Sequence, residues 1–370
     1  MTSVCAKKLT VKTPIGEKST ENDGSPRLWI HTGAGPQIGF GHLKRCMTLA
    51  GELRDFARAF FILRPKDRWS GDILAARGFE YQNLDFPDLW RNPAVRPAAI
   101  LIDTRRSGGL GAFIRAARAR NVSVISLHDM GLNPLSSDIA VDGSIAAVFQ
   151  HDLPARRTFA GPAYMVLDPA IRKLRRRPLR AGKEIRSIFI SMGGGNARKH
   201  FSRVLAGLRL WAEKTEREIE AVGMRGFVEW GQDGFNEEAL RPLRFRWVSG
   251  PAAEFLRNSD LAVTAGGISA YEALCSGAPL FALSWDSLQQ KAVDRMAEAG
   301  CCVNLGAAGD LTPEFLAGLL GKIDEDAAGR EKMARLGMET VDGRGAKRVA
   351  AIIRRAISGR LPAAGSEDAR

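Results

Sequence analysis

Three strand-to-helix turns carry the residues that could do chemistry. The first is HTGAGPQIGFGHLKRCMTLAGEL, where a strand RLWIHT ends in Gly33, Gly35, Gly39 and Gly41 and a helix opens near His42. Glycines allow tight backbone geometry and close approach of a ligand. A helix N-terminus adds unpaired N–H groups and partial positive charge, which suit an anion or a leaving group gaining charge. A histidine there, with an ordinary pKa near ~6.5, can take a proton at neutral pH. The same position also suits a histidine that only hydrogen-bonds a neighbouring loop, and the residue types leave both roles open. The turn lacks the G-x-G-x-x-G spacing of a dinucleotide site, because Ile38 stands where the third glycine belongs.

The second turn, IFISMGGGNARKHF, places Gly193, Gly194 and Gly195 after a strand and Asn196 before a helix. Asn196 reads either as part of a ligand-facing loop or as a plain N-cap. In the third, DLAVTAGGISAYEALCSGAPLFALS, a strand ends at Gly266–Gly267 and a helix starts near Ser269, with Glu272 one turn on. Backbone N–H groups and the Ser269 hydroxyl could hold a pyrophosphate, and Glu272 could accept from two ribose hydroxyls. The alternative for Glu272 is a capping-box partner of Ser269.

Such turns need strands and helices in alternation to position them. RLWIHT, RAFFIL, AAILID and VSVISL read as buried strands in the first half, with helical patterns over 43–53 and 110–120. The alternation restarts with IRSIFIS, EIEAVG, FRWVS, DLAVTA, PLFALS and CCVNL, with helices expected over 198–213, 268–276 and 288–299. This is the pattern of βαβ units and parallel sheets. The expected fold is α/β: two doubly wound, Rossmann-like domains facing across a cleft, with ligands beyond the strand carboxyl ends. The expected division is a disordered extension over 1–27, a first domain over 28–170, a basic linker over 171–183, a second domain over 184–358 and a tail over 359–370. Which half the closing helical stretch 344–358 packs on is open at this stage.

The chain has 370 residues, 45% of them hydrophobic, and a net charge of +13. No stretch reaches the ~20 apolar residues of a membrane span, and no signal-peptide core opens the chain, so a cytoplasmic protein is expected. Five cysteines, with no zinc-like spacing, read as small reduced hydrophobes, and neither a metal nor a cofactor is expected. Positive charge favours anionic partners. Its one dense cluster, IRKLRRRPLRAGK, contains Pro178 and Gly182 and lacks aromatic neighbours for base stacking. That argues for a linker and against nucleic acid, leaving peripheral contact with an acidic membrane surface open.

Taken together, IGFGHLKRCMTLA, ILID, LHD, GPAYMVLDP, SMGGGN and AGGISAYEALCSGAP resemble the UDP-diacetamido-trideoxy-altrose hydrolases of pseudaminic acid biosynthesis and their spore-coat polysaccharide relatives. The resemblance spans about 28–305 and implies a glycosyltransferase-B fold, similar to the enzyme that adds N-acetylglucosamine to lipid-linked peptidoglycan precursors. It implies that His42 activates water against the anomeric carbon, with Gly39, Gly41 and Arg45 shaping the turn around it. It further implies nucleotide-sugar contacts from Gly193, Gly194, Asn196, Gly266, Gly267, Ser269, Glu272 and Gln289.

The sugar-facing half departs from these relatives. Their Arg-x-Asp on the first strand becomes His31 and Gly33, and their Asp-x-Tyr becomes Asp103-Thr104-Arg105. Their Asp-Asp pair becomes His128-Asp129, and Leu288 replaces the residue before Gln289. Asp103 and Arg105 stay in the expected substrate site, on its altered side. The expected activity is a UDP-sugar hydrolase in the biosynthesis of a nonulosonic acid or surface polysaccharide sugar. Glycosyl transfer from a UDP-sugar and catalytically silent sugar-nucleotide binding are the alternatives.

Overall fold

The computed structural model describes residues 24–36, 38–90, 96–105, 108–128, 135–147, 157–175, 184–193, 198–226 and 237–360. Seven strands form the first sheet: β1 (Arg27–His31), β2 (Arg58–Leu63), β3 (Glu80–Asn83), β4 (Ala99–Ile102), β5 (Ser123–His128), β6 (Ile139–Asp142) and β7 (Arg157–Ala160). Six form the second: β8 (Ser187–Ser191), β9 (Ile219–Met224), β10 (Leu243–Val248), β11 (Leu261–Ala265), β12 (Leu280–Ser284) and β13 (Val303–Ala307). Every pairing is parallel. The strand orders are β3-β2-β1-β4-β5-β6-β7 and β10-β9-β8-β11-β12-β13. Each sheet therefore reverses direction of growth once, between β1 and β4 and between β8 and β11. A crevice opens at such a switch point beyond the carboxyl ends of the strands.

The ten strands expected from sequence are all present. The additional β3, β6 and β7 are four-residue strands on the flanks of the first sheet. Helices α1 (Gly41–Leu53), α2 (Arg68–Ala76), α3 (Phe86–Leu89) and α4 (Leu110–Arg118) lie in the first half. After them come α5 (Pro169–Leu174), α6 (Arg198–Thr215), α7 (Ala252–Leu256), α8 (Ile268–Ser276), α9 (Ser287–Glu298), α10 (Pro313–Glu325), α11 (Ala327–Thr340) and α12 (Gly345–Ile357). Leu43, Cys46, Ala50 and Leu53 of α1 are buried, the i, i+3, i+7 spacing of a helix packed on a sheet.

The chain crosses between the halves twice. The first crossing ends in α5, so the head of the expected basic linker is helix. Ile171 and Leu174 are buried in the second half's core, and the Arg175 guanidinium donates to the Met338 and Val341 carbonyls at 2.7 and 2.9 Å. The rest of that cluster, 176–183, lies outside the described residues. The second crossing returns the chain to the first half. Val349, Ala350 and Ile353 of α12 are buried in one core with Leu43, Leu49 and Leu53 of α1. Residues 345–357, grouped by sequence with the second domain, thus complete the hydrophobic layer of the first sheet.

The two crossings meet at Met165. A Cβ added to Gly345 would stand 2.1 Å from the Met165 carbonyl oxygen, and one added to Gly143 would stand 2.5 Å from its Cα. Only glycine fits on either side of that strand of chain. Among the described residues no helix is long and apolar enough to cross a membrane.

Candidate active site

The two switch points face each other, and each is bridged by side chains. In the first half, α1 follows β1 and brings His42 beside Asp103, which follows β4. His42 Nδ1 lies 2.6 Å from Asp103 Oδ1. Arg45, one turn along α1, reaches the same carboxylate, with Nε 3.0 Å from Oδ2 and Nη2 2.8 Å from Oδ1. His42 is 5% exposed and Asp103 fully buried. Arg45 Nη2 also stands 3.0 Å from His42 Nδ1. A carboxylate only accepts, so the shorter 2.6 Å contact assigns the Nδ1 proton to Asp103 and the lone pair to Nε2, and the 3.0 Å approach of the Arg45 guanidinium is then a contact between two donors and not a hydrogen bond. This is the tautomer a general base needs, and the buried carboxylate can stabilise the imidazolium that forms. Arg45 offsets the cost of burying the carboxylate.

In the second half the bridging groups are small. Ser191, at the end of β8, meets Ser269 of α8 with hydroxyl oxygens 2.9 Å apart. Gly266 directly follows β11 and lies under α9. A Cβ there would stand 2.6 Å from Val293 Cγ2, so the turn can sit this close only without a side chain. Gly267 is the N-cap of α8 and makes no side-chain cap bond. The α1 N-terminus is likewise uncapped by a side chain, and neither first turn carries an acid. Side-chain caps are present at α2, α5, α9, α10 and α11, from Asp67, Asp168, Asp286, Thr312 and Asp326, and are absent also at α3, α4, α7 and α12. Uncapped first turns leave N–H donors to be satisfied by water or ligand.

The N-terminal ends of α1 and α8 abut. A Cβ on Gly41 would lie 3.0 Å from Ile268 Cδ1. Lys44 of α1 forms an ion pair with Glu272 of α8, whose side chain is 2% exposed. One turn face away, the Tyr271 hydroxyl accepts from the Ile145 backbone N–H at 3.0 Å and lies 3.2 Å from Ser144 Oγ. Ser269 and Glu272 therefore do not form the capping box considered from sequence, because each bonds elsewhere.

The structure brings Gly39, Gly41, His42, Arg45 and Asp103 together on one side of the cleft, with Gly266, Gly267, Ser269 and Glu272 on the other. Gly193 follows β8 and is exposed, as is Arg105 beyond β4. Gly194 and Asn196 lie outside the described residues. Gln289 sits in the first turn of α9, where its side-chain oxygen accepts from the Trp285 N–H at 3.2 Å. His128 ends β5, buried, with Nε2 2.7 Å from Ser126 Oγ. Sequence reasoning passed over Lys44 and Ser191. Lys44 lies two residues after His42, and Ser191 is the last residue of a switch-point strand, a position that could have marked it. Among the described residues no group of three or more His, Cys, Asp or Glu is placed to hold a metal ion.

A second feature lies in the first half alone. The carboxyl ends of β1, β2 and β4 and the first glycine turn line a half-open cavity of about 550 Å³, with His31, Gly33, Arg64, Lys66, Trp69 and Thr104 among its walls. His31 Nδ1 pairs with the Ile62 carbonyl at 2.9 Å. Burial, with the nearby Arg64 charge, lowers the His31 pKa to about 4 against the smaller opposing effect of that hydrogen bond.

No protein-family model matches the chain. It is 28% identical over 200 residues to the spore coat polysaccharide biosynthesis protein SpsG of Bacillus subtilis, a match covering 53% of this chain and 58% of SpsG. The chain thus spans less than two thirds of that relative's length. Among solved structures, MurG of Acinetobacter baumannii superimposes with a TM-score of 0.60 at 14% identity, covering 89% of this chain and 99% of MurG. S. aureus MnaA, solved with UDP, gives 0.63 at 11% identity, covering 91% and 98%. Two parallel switch-point sheets, a returning helix α12 and these superpositions show the glycosyltransferase-B fold, and over about half its length the chain is similar in sequence to SpsG.

Proposed function

We propose that the chain transfers a sugar from a UDP-sugar to an acceptor hydroxyl in the building of a polysaccharide. One observation carries the reading. A His–Asp pair in base-competent tautomer stands on one side of the cleft, against an uncapped, acid-free helix N-terminus on the other. The diphosphate lies along the first turn of α8, with N–H groups and the Ser269 hydroxyl as donors. Glu272 takes the ribose hydroxyls, which then share or replace its bond to Lys44. His42 Nε2 takes the acceptor's hydroxyl proton as the acceptor oxygen bonds to the anomeric carbon. The bond from that carbon to the β-phosphate oxygen breaks, and UDP leaves with the electron pair, its charge met by the α8 donors. The likeness to SpsG, MurG and MnaA solved with UDP supports a nucleotide-sugar enzyme of this kind.

Hydrolysis is the second reading. It is favoured by the resemblance of the IGFGHLKRC segment to sugar-nucleotide hydrolases of pseudaminic acid biosynthesis. Water then takes the acceptor's place before His42. The deciding assay follows UDP release from a panel of UDP-sugars, with and without cell extract as the source of acceptor. Release that requires extract supports transfer, and equal release without it supports hydrolysis. Tight UDP binding with no release under either condition, unchanged by His42→Ala, would sink both and leave a sugar-nucleotide sensor.

A further inference from the structure

The ion pair that spans the cleft is unevenly exposed. The Glu272 side chain of α8 is 2% exposed and that of Lys44 of α1 is 33% exposed, so the ammonium stands on the solvent side and covers the carboxylate. A ribose that takes Glu272 with both hydroxyls must therefore push Lys44 aside. Opening the pair frees a positive charge beside the bound donor.

The local geometry says where that charge can go. Ser269, the hydroxyl donor of the first turn of α8, precedes Glu272 by three residues on one helix face. The separation is a rise of ~4.5 Å along the axis, within the swing of a lysine's flexible four-carbon stem. The root of that stem is held close by. The Lys44 backbone N–H donates to the Phe40 carbonyl at 2.9 Å, and a Cβ on Gly41 would lie 3.0 Å from Ile268 at the start of α8.

Two electrostatic facts favour a mobile role over a fixed one. Lys44 is the fourth residue of α1, in the first turn, where the helix dipole disfavours a cation. A diphosphate on the first turn of α8 would also lie one turn from the Glu272 carboxylate, and like charges that close repel unless a cation stands between them. Lys44 is already bonded to that carboxylate.

We infer that Lys44 is an exchangeable counter-ion: it neutralises Glu272 while the cleft is empty and passes to the diphosphate when ribose takes the carboxylate. Lys44 gives up no proton in the transfer step. As the bond from the anomeric carbon to the β-phosphate oxygen breaks, its electron pair goes to UDP and the acceptor's proton to His42 Nε2. Lys44 then faces the charge that UDP gains. The inference rests on the donor placement proposed above. Unlike His42, Lys44 should be felt in UDP affinity, because it reaches across the cleft.

The test is calorimetric titration of the full chain with uridine, UMP and UDP. Uridine opens the ion pair and offers the ammonium nothing, whereas UDP opens it and takes the ammonium. Lys44→Met should therefore move the two ligands in opposite directions. Uridine should bind about threefold tighter than to the unaltered chain and UDP about threefold weaker, so that their affinity ratio falls about tenfold, as for loss of one charge-assisted contact. Lys44→Arg keeps the charge and should hold the ratio within about threefold of its original value. A fall shared by UMP assigns the ammonium to the α-phosphate, and one confined to UDP assigns it to the β-phosphate.

An unchanged ratio in Lys44→Met overturns the proposal, whether both affinities hold or both weaken equally. An ion pair that merely fastened the halves together would treat the ligands alike. Should Lys44→Met fail to fold, Lys44→Gln is titrated in its place and judged by the same ratio. Failure of the unaltered chain to bind UDP counts against the proposed function, whereas normal UDP binding with an unchanged ratio in the variant counts against Lys44 alone.

Discussion

The two halves use the same strand-turn-helix geometry at their switch points but fill it differently. The first half places long, ionisable side chains there: His42, Arg45 and Asp103, locked to one another within 3.0 Å. The second places glycines and two serines, with Glu272 held from across the cleft by Lys44. Backbone donors recognise a diphosphate without moving, so they suit an anchor. Proton transfer needs a side chain with one defined tautomer, so it suits the locked triad. Reaction and binding should therefore separate by half when residues are changed.

The largest effect should come from the first half. His42→Ala should lower kcat about 10²–10⁴-fold, the usual worth of a general base, while the UDP dissociation constant stays within about twofold. Asp103→Asn should cost about 10²-fold or more in kcat, because an amide at that position can stabilise the wrong imidazole tautomer. Loss of UDP affinity in either variant would break the division of labour.

Next in size is an effect on stability in acid. His31 is folded neutral with a pKa of about 4, below its ordinary value of 6.5. A histidine lowered in this way lets the unfolded chain bind more protons, so its contribution is complete above pH 6.5 and is lost as pH falls toward 4. The shift corresponds to about 3 kcal/mol in all. Urea unfolding at pH 7 and at pH 4.5 should show most of that loss, and His31→Gln should flatten it. A pH dependence unchanged in the variant would remove His31 as its source.

The second half should answer in affinity. Gly266→Ala pushes a methyl toward Val293 and the Gln289 carbonyl. It should weaken UDP binding about tenfold, the cost of shifting α9 by overpacking, with kcat at saturating donor changed less than about threefold. A variant losing kcat at unchanged affinity would sharpen the comparison in the opposite sense.

The smallest response should come from the cysteines. Burial raises the thiol pKa of Cys275 to about 11 and that of Cys302 to about 12. Burial also raises Cys46 and Cys301, Cys46 with help from the Asp103 charge. At pH 7.5 the folded protein should leave these four unalkylated by iodoacetamide, as read by mass spectrometry after quenching.

Much of this was legible in the sequence because its signals are local. Buried parallel strands read as unbroken apolar runs, which is why RAFFIL and LAVTA stood out. Glu80–Asn83 did not, since an edge strand of polar residues, none of them buried, has no such signature. His42 was visible from its place after a glycine turn. Asp103 is 61 residues away and entered only through resemblance. Lys44–Glu272, 228 residues apart, exists only because two helix ends meet across the cleft. His31 was visible merely as a departure from relatives, because nothing local tells that one of its nitrogens is left bare.

The return of α12 has a consequence for how the molecule can be divided. Helix α12 belongs by packing to the half that the chain left at Met165, so the first half is built from two separate stretches of sequence with the second half between them. A single cut between residues 175 and 184 should release no free first half, since the downstream fragment carries the helix that covers Leu43 and Leu53. The two pieces should instead stay together as a noncovalent pair. Fragments expressed separately should recover their fold only on mixing, which makes the first half dependent on a segment far along the chain from its strands.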